Sequence, residues 1–234
     1  MNHSLISKLK HGFIVSCQAL EDEPLHGSHI MAAMACAAEE GGAAAIRANS
    51  PVDIYQIKQK CSLPVIGIYK KFYDDSKVYI TPTIHEVREV VEAGADFVAL
   101  DCTKLSRPGK ERLEDLIDRI RSDYPQTSIV ADISTYEEGV RAISLKVDLI
   151  STTLSGYTPH SPQLEDPDIE LVGRLASLGK VPILAEGRIW MIEQCLRCFD
   201  AGAHAVVMGT AITRPQEIVK RYVRKVRSHV GSSS

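Results

Sequence analysis

Short apolar runs alternate with longer amphipathic stretches along most of this chain. Eight of the runs are rich in Val, Ile, Leu and Ala and span only four to seven residues, too few for a helix. Continuous apolar runs of this length are typical of strands that are buried on both faces. The predicted strands cover residues 12–18, 43–48, 64–70, 97–101, 128–133, 149–154, 182–185 and 205–208.

The segments between the predicted strands carry helix boundary signals. Ser50 and Pro51 form an N-cap and first-turn pair, so one helix begins there. Thr83 and Glu86 have the spacing of a capping box, and Gly202 has the position of a helix stop. The other predicted helices cover residues 29–40, 83–93, 112–124, 135–144, 169–178, 190–201 and 216–227.

Eight strand–helix repeats predict an α/β protein with a parallel sheet, and closure of that sheet gives a single (β/α)8 TIM barrel. The length of 234 residues is within the range of one such barrel. We expect an N-terminal segment over residues 1–11, the barrel over 12–228 and a disordered tail over 229–234. Two connections are unusually long: residues 71–82 are expected to cover the barrel mouth, and residues 155–166 have the length of a lid.

Composition removes several classes of function. The net charge of -3 argues against a protein that coats nucleic acid, and no apolar stretch is long enough to span a membrane. The N-terminus lacks the apolar core of a signal peptide, so we expect a cytoplasmic protein with six reduced cysteines. Cys195 and Cys198 form a CxxC pair without a second pair, so we expect thiols there and no zinc site.

Ionisable residues end several of the predicted strands, and in barrels of this kind the chemistry gathers at the C-terminal ends of the strands. Lys70, Arg47 and three carboxylates are therefore expected to share one mouth, although Lys70 could instead point to solvent. Enclosure beside Arg47 would lower the pKa of Lys70, as a base at neutral pH requires. The last polar residues of the eight strands are Gln18, Arg47, Lys70, Asp101, Asp132, Thr153, Glu186 and the pair Gly209 and Thr210.

Glycines follow the seventh and eighth predicted strands. Gly187 and Arg188 follow the seventh, and Gly209 and Thr210 follow the eighth, with Arg214 a few residues further on. Glycine lets backbone N–H groups approach an anion, and the loops after these two strands form the usual phosphate site of the barrel. A phosphorylated substrate is therefore predicted, unless both glycines are ordinary strand exits.

No cofactor and no metal ion are predicted. No histidine ends a predicted strand, so a metal site of paired histidines and carboxylates is not expected. Neither GxGxxG nor GxxxxGK[ST] occurs in the chain, so a nucleotide fingerprint is absent from the sequence. A mouth with Lys70, Glu186 and a phosphate site suits proton abstraction next to a carbonyl.

Eight segments, in order along the chain, resemble the bacterial N-acetylmannosamine-6-phosphate 2-epimerase family. They are IVSCQALEDEPLH, AAAIRAN, PVIGIYK, ITPT, ADIST, STTLSGYT, AEGRI and GTAITRP, and the resemblance covers residues 12–227. It implies a (β/α)8 barrel that interconverts N-acetylmannosamine 6-phosphate and N-acetylglucosamine 6-phosphate in sialic acid breakdown. It also implies a homodimer that works without metal or nucleotide.

The resemblance implies roles for the strand-end residues. Lys70 looks like the base that removes the C2 proton of the sugar, and Glu186 looks like the second catalytic group. Gln18, Arg47 and Asp132 look like ligands of the sugar hydroxyls and the N-acetyl group. The residues implied at the phosphate site are Gly187, Arg188, Gly209, Thr210 and Arg214.

Two other interpretations of the site stay open. The same mouth would suit an aldose–ketose isomerase, or an aldolase-like lyase in which Lys70 forms a Schiff base. A non-catalytic sugar-phosphate-binding barrel would be expected to have an eroded site, whereas Lys70, Arg47 and Glu186 are all present.

The last predicted helix, residues 216–227, has a wide apolar face. That face could pack wholly on its own barrel, or it could meet a second copy of the chain, as the resemblance to a dimeric family implies. The apolar residues on it are Ile218, Val219, Tyr222, Val223 and Val226.

Overall fold

The computed structural model describes residues 3–231 and contains a closed barrel of eight parallel strands. The strands are Gly12–Cys17 (β1), Ala45–Asn49 (β2), Val65–Ile68 (β3), Phe97–Asp101 (β4), Ser128–Asp132 (β5), Leu149–Ser151 (β6), Ile183–Glu186 (β7) and Ala205–Met208 (β8). Each strand pairs with the next along the chain, and β8 closes the barrel by pairing with β1. The predicted (β/α)8 TIM barrel is confirmed.

Helices follow the strands and surround the barrel. Two predicted helix starts are confirmed: Ser50 Oγ accepts the N–H of Asp53 at 3.3 Å, and Thr83 and Glu86 form a capping box. The helices are His3–Lys8 (α1), Ser28–Glu40 (α2), Pro51–Lys60 (α3), Ile84–Glu92 (α4), Leu113–Asp123 (α5), Tyr136–Ser144 (α6), Ile169–Ala176 (α7), Ile192–Asp200 (α8), Thr210–Thr213 (α9) and Pro215–Gly231 (α10).

Several bounds differ from the prediction. The helices α1 and α9 have six and four residues, too few for a helical period to show in the sequence. β6 stops at Ser151 because the chain turns there, with the N–H of Ser155 donating to the carbonyl of Thr152. Residues 229–231 of the expected tail continue α10, while residues 1–2 and 232–234 lie outside the described residues.

The barrel interior is filled by apolar side chains, and α1 closes its N-terminal end. Ile14, Ile66 and Leu149 are fully buried in this inner cluster, and Leu5 and Ile6 of α1 pack against it. A second apolar cluster lies between the strands and the outer helices. At the other end of the barrel, where the strands end, polar side chains line an open cavity. Within residues 3–231, no helix combines the length and apolar character needed to cross a bilayer.

Both long connections reach this open end. The N–H of Lys71 donates to the carbonyl of Tyr79 and the N–H of Thr81 to that of Tyr69, so residues 69–81 form a small antiparallel hairpin. In the 155–166 loop, Ser161 Oγ accepts the N–H of Gly156 at 2.9 Å, which folds the loop back on itself. Hairpin and loop each contribute side chains to the walls of the mouth.

Candidate active site

The C-terminal ends of the strands surround a cavity of about 370 Å³. Of the residues to which the resemblance assigned a role, all except Asp132 line it, which brings the strand ends and both glycine loops into one site. Lys70 is among them and faces the cavity instead of open solvent. The predicted residues on its walls are Gln18, Arg47, Lys70, Glu186, Gly187, Arg188, Gly209, Thr210 and Arg214.

Arg47 joins two carboxyl groups at one end of the cavity. Its Nη1 and Nη2 donate to the two oxygens of Asp132 at 3.1 and 2.5 Å, and Nη1 lies 3.1 Å from Glu186 Oε2. Arg47 is 1% exposed and Asp132 is fully buried, so each needs the other as a partner. The structure places Asp132 behind Arg47 and away from the cavity wall, and a direct contact with the sugar stays a prediction.

Two hydroxyl groups complete this cluster. Thr153 Oγ1 lies 2.7 Å from Asp132 Oδ1, 2.9 Å from Glu186 Oε2 and 2.9 Å from Ser151 Oγ. Burial raises the pKa of Glu186 above its ordinary value; Arg47 and the hydroxyls act in the opposite direction, and the charge of Asp132 adds to the rise. A raised pKa favours the protonated form of this carboxyl group.

Lys70 follows β3 and is fixed through its backbone. Its N–H donates to Oδ1 of Asn49 at 2.9 Å, and its peptide pairs with Ile80 of the hairpin. Burial, followed by the positive charge of Arg47, lowers the pKa of Lys70 from 10.5 to about 8. The lowering expected from enclosure beside Arg47 is therefore present. An amine with this pKa is partly neutral at physiological pH and can accept a proton.

The other end of the cavity is organised around Arg214. Oε2 of Glu23 accepts Nε of Arg214 at 2.8 Å and Nε2 of Gln216 at 2.7 Å. The second oxygen of Glu23 accepts the N–H of Leu20 at 3.2 Å. Nη1 and Nη2 of Arg214 have no partner among residues 3–231, and such a guanidinium edge suits a phosphate group.

The two loops after β7 and β8 require glycine for different reasons. Gly187 has a φ of 110°, which side chains with a Cβ rarely adopt. At Gly209, a Cβ would lie 3.0 Å from the Cβ of Ser16, too close without a shift of the strand. The N–H groups of Gly209 and Thr210 stand at the start of α9 and have no intrahelical acceptor. These donors line the same cavity as Arg214.

Arg188 uses its side chain to hold a loop. Its Nη1 donates to the carbonyl of Ser155, and its Nε donates to the carbonyl of Asp166 at 3.0 Å. The guanidinium also lies 5.7 Å from the centre of the Tyr157 ring. Arg188 thus fastens the 155–166 loop to the exit of β7, and its contact with phosphate stays a prediction.

The structure adds cavity residues to which the sequence assigned no role: Ser16, Glu23, Tyr79, Tyr157 and Trp190. Tyr79 and Tyr157 lie in the two long connections that were expected at the mouth. The length of those connections was the sequence signal that could have indicated these two residues. Glu23 lies beyond the end of β1, so strand-end reasoning could not select it. Asp101, expected in the mouth, instead accepts the N–H and hydroxyl of Thr103 in its own loop.

Metal-ligand geometry is absent from the described chain. Within residues 3–231, no three His, Cys, Asp or Glu side chains are grouped so that they could hold a metal ion. Cys195 and Cys198 are buried free thiols in α8, and burial raises the pKa of Cys198 to about 11.

Comparison with known proteins agrees with this site. A family model provisionally described as N-acetylmannosamine-6-phosphate epimerase matches residues 31–228. A protein of Caldanaerobacter subterraneus subsp. tengcongensis, provisionally named N-acetylmannosamine-6-phosphate 2-epimerase, is 56% identical over 97% of this chain and 96% of its own. A Clostridium perfringens protein with the same provisional name is 50% identical over 93% of this chain and 98% of its own.

Solved structures give the same result. The structure described as the N-acetylmannosamine-6-phosphate 2-epimerase from Clostridium perfringens has a TM-score of 0.92 and 49% identity, covering 96% of this chain and 97% of that one. A thiamine phosphate pyrophosphorylase from Pyrococcus furiosus, at a TM-score of 0.59, 18% identity and coverage of 95% and 98%, shares the fold alone. The chain belongs to the N-acetylmannosamine-6-phosphate epimerase family.

Proposed function

We propose that this chain interconverts N-acetylmannosamine 6-phosphate and N-acetylglucosamine 6-phosphate by removing and returning the proton on C2. One observation carries the proposal: Lys70 with a lowered pKa and Glu186 with a raised pKa line a cavity that also contains Arg214. An amine base and a carboxylic acid in one site are the two groups that this reaction needs. Membership of the family supports the choice of substrate.

Ring opening comes first, because C1 of the cyclic sugar is a hemiacetal and does not acidify the C2 proton. In our mechanism Glu186 gives its proton to the ring oxygen O5 as the C1–O5 bond breaks. The hydroxyl proton on O1 passes to a solvent water in the open cavity, the O1–H electron pair forms the C=O bond, and C1 becomes an aldehyde. The raised pKa of Glu186 suits this step, because the group must be protonated before it can act as an acid.

Deprotonation at C2 follows. Neutral Lys70 accepts the C2 proton, the C–H electron pair forms the C1–C2 double bond, and negative charge moves to O1. Arg47, which lines the cavity, stabilises that charge as a fixed donor. A proton then returns to the other face of C2, the aldehyde reforms, and ring closure gives the epimer.

Binding is divided between the two ends of the cavity. Gln18 and Arg47 are assigned to the sugar hydroxyls and the N-acetyl group, and Asp132 is assigned to hold Arg47 in place. At the other end, Nη1 and Nη2 of Arg214 and the N–H groups of Gly209 and Thr210 are assigned to the phosphate. Charge-assisted bonds of this kind are the strong ones in phosphate recognition.

We also propose a homodimer in which α10 forms part of the contact. No residue of α10 is buried, and Val219, Tyr222 and Val226 are 58%, 71% and 59% exposed. This exposure supports a contact with a second copy over packing of the whole face on its own barrel. Light scattering at micromolar concentration should give twice the chain mass; a monomer mass would contradict the dimer. A cytoplasmic location remains the expectation from the sequence.

The decisive experiment follows the C2 proton. With N-acetylmannosamine 6-phosphate in D2O, proton NMR should show the epimer forming with deuterium at C2 and at no other carbon. Lys70→Ala should slow epimerisation and exchange by about 10²- to 10⁴-fold, the usual contribution of one acid–base group. Near-normal turnover in Lys70→Ala would place the base elsewhere.

A control separates this mechanism from Schiff-base chemistry, which a lysine of lowered pKa also permits. Borohydride added during turnover should leave the chain mass unchanged. A covalent adduct at Lys70 would favour the lyase interpretation instead.

A further inference from the structure

One wall of the mouth, between β3 and β4, lies across the cavity from Arg214. The hairpin of residues 69–81 forms this wall: Ile80 pairs with Lys70 after β3, and its carbonyl accepts the N–H of Asp101 at the end of β4. In a closed barrel of eight strands in chain order, β4 stands opposite β8, whose exit leads to Arg214. A ligand bound at Arg214 therefore points its far end toward the hairpin.

Tyr79 is held in this wall from several directions. Its carbonyl accepts the N–H of Lys71, and its ring stacks on the ring of Phe72 with the centroids 5.7 Å apart and the planes 13° from parallel. The ring also packs against the inner apolar cluster of the barrel. Backbone and ring are thus both fixed, which makes this side chain a firm part of the cavity wall.

The hydroxyl group of Tyr79 is free for a ligand. It has no hydrogen-bond partner among residues 3–231, although the side chain is partly buried and lines the cavity. Burial raises the pKa of Tyr79 to about 12; the charges of Asp101 and Asp132 add to the rise, and Arg47 opposes it. A phenol of this pKa keeps its hydrogen at neutral and mildly alkaline pH, so it can donate to a ligand oxygen.

Apolar side chains adjoin this hydroxyl group. Ile68 at the end of β3 and Ile80 of the hairpin both line the cavity, and both belong to the inner cluster against which the Tyr79 ring packs. Binding pockets commonly combine apolar walls with a few placed polar groups that fix the orientation of the ligand. A hydroxyl donor beside two isoleucines matches a ligand group that has a carbonyl oxygen and a methyl group.

The shape of the sugar brings such a group to the hairpin. In a pyranose ring, C2 lies directly across from C5, which carries C6 and the phosphate. With the phosphate at Arg214, the acetamido group on C2 points away from Arg214 and toward the wall between β3 and β4. Lys70, the proposed base for the C2 proton, pairs with Ile80 of the same hairpin. The reacting carbon and its acyl group are thus expected at one wall.

We infer that Tyr79, Ile68 and Ile80 form the N-acyl subsite, in which the Tyr79 hydroxyl donates to the acyl carbonyl oxygen and the isoleucines contact the methyl group. The inference deepens the proposed function and rests on it, because it uses the phosphate site assigned there. It adds a specificity-determining residue to Gln18 and Arg47. Tyr79 selects sugars with an acylated nitrogen on C2, and the isoleucines limit the length of the acyl chain.

Two sugar alcohols test the hydroxyl donor without turnover. 2-Acetamido-2-deoxyglucitol 6-phosphate and glucitol 6-phosphate differ only at C2, and neither has the aldehyde that acidifies the C2 proton. By calorimetric titration, the wild type should bind the acetamido compound more tightly. Tyr79→Phe should weaken binding of that compound about 3- to 10-fold, the effect of one hydrogen bond, and should leave binding of glucitol 6-phosphate within about 2-fold.

Tyr73→Phe is the matched control, because it removes a phenol of the same hairpin that donates to Glu86 at 2.8 Å outside the cavity lining. It should change the affinity for neither compound. A wild type without preference for the acetamido compound would overturn the inference. So would a Tyr79→Phe variant that weakens both compounds equally, as a merely structural role predicts, or that weakens neither.

Acyl chain length provides the second measurement. Ile80→Val makes room for one methylene group and should raise kcat/KM for N-propanoylmannosamine 6-phosphate, relative to the N-acetyl substrate, about 4-fold. Ile66→Val is the control, because Ile66 is buried in the inner cluster below the cavity lining, and it should leave the ratio unchanged. An unchanged ratio in both Ile80→Val and Ile68→Val would remove the isoleucines from the subsite.

The two measurements separate this inference from the proposed function. If the sugar alcohols show the expected pattern but the wild type does not epimerise N-acetylmannosamine 6-phosphate, the proposed function fails while the acyl subsite stands. Epimerisation without a binding preference for the acetamido compound would leave the proposed function standing and overturn the subsite.

Discussion

The two ends of the cavity are built in different ways. At the acid–base end, Arg47 and Asp132 are 1% and 0% exposed and are joined by two hydrogen bonds, with Glu186 and Thr153 tied to the same group. At the other end, which we propose binds phosphate and call the phosphate end, Arg214 and Glu23 form a single ion pair whose side chains are 35% and 11% exposed. The acid–base end is part of the folded core, and the phosphate end is a surface to which a ligand can bind.

This difference separates two kinds of mutational effect. Removing one partner of a buried ion pair leaves an uncompensated charge in the interior, so variants at the acid–base end change stability together with activity. A partly exposed pair contributes little to folding, so variants at the phosphate end report on binding alone. Loss of activity in an Arg47 variant is therefore weaker evidence for a chemical role than loss in an Arg214 variant.

The largest expected effect is on stability, at the acid–base end. Arg47→Ala should lower the free energy of unfolding by about 3–5 kcal/mol, because Asp132 is left buried without its partner. Arg214→Ala is the matched control and should lower it by less than about 1 kcal/mol. Urea unfolding of both variants measures the difference, and equal losses would contradict the contrast between the two ends.

Binding should show the opposite order. Arg214→Ala should raise KM for the phosphorylated sugar about 10- to 100-fold, which corresponds to about 1.5–3 kcal/mol for a charged hydrogen-bonding group. Glu23→Ala should raise KM less, because it frees Arg214 without removing it. When Arg214→Ala is already present, adding Glu23→Ala should raise KM no further. Equal kcat/KM values of the wild type for the phosphorylated and the unphosphorylated sugar would contradict the proposed phosphate site.

The two ends should also be linked through the pH profile. Lys70 acts as a base only when neutral, so the acidic limb of the kcat/KM profile should rise with pH through a midpoint near its pKa of about 8. The charge of Arg214 helps to lower that pKa. Arg214→Ala should therefore move the midpoint to higher pH. A midpoint that moves to lower pH would show that the charge of Arg214 does not act on Lys70.

The smallest expected effect is that of chelation. Because residues 3–231 contain no group of metal-ligand side chains, dialysis against EDTA should leave kcat and KM unchanged. Loss of activity that a divalent ion restores would contradict the mechanism at both ends of the cavity.

The sequence predicts the parts of the site that follow from strand period and chain order. Lys70 and Glu186 end or follow strands, and the fold brings all strand ends together, so their meeting in one cavity could be expected. The position of Asp132 behind Arg47 could not, because a strand end does not show which side chain covers another. Glu23 meets Arg214 across 191 positions of sequence, and nothing in local pattern indicates such a pair.

The single tryptophan of the chain gives the cavity its own optical signal. Trp190 lines the mouth, and its ring lies 4.6 Å from the guanidinium of Arg221 on α10. All indole fluorescence therefore comes from the rim of the site, and its emission responds to both the local polarity and the neighbouring charge. Titration with a sugar phosphate is expected to change the first, and the proposed association through α10 is expected to change the second. One unlabelled sample can thus report on occupancy and assembly together.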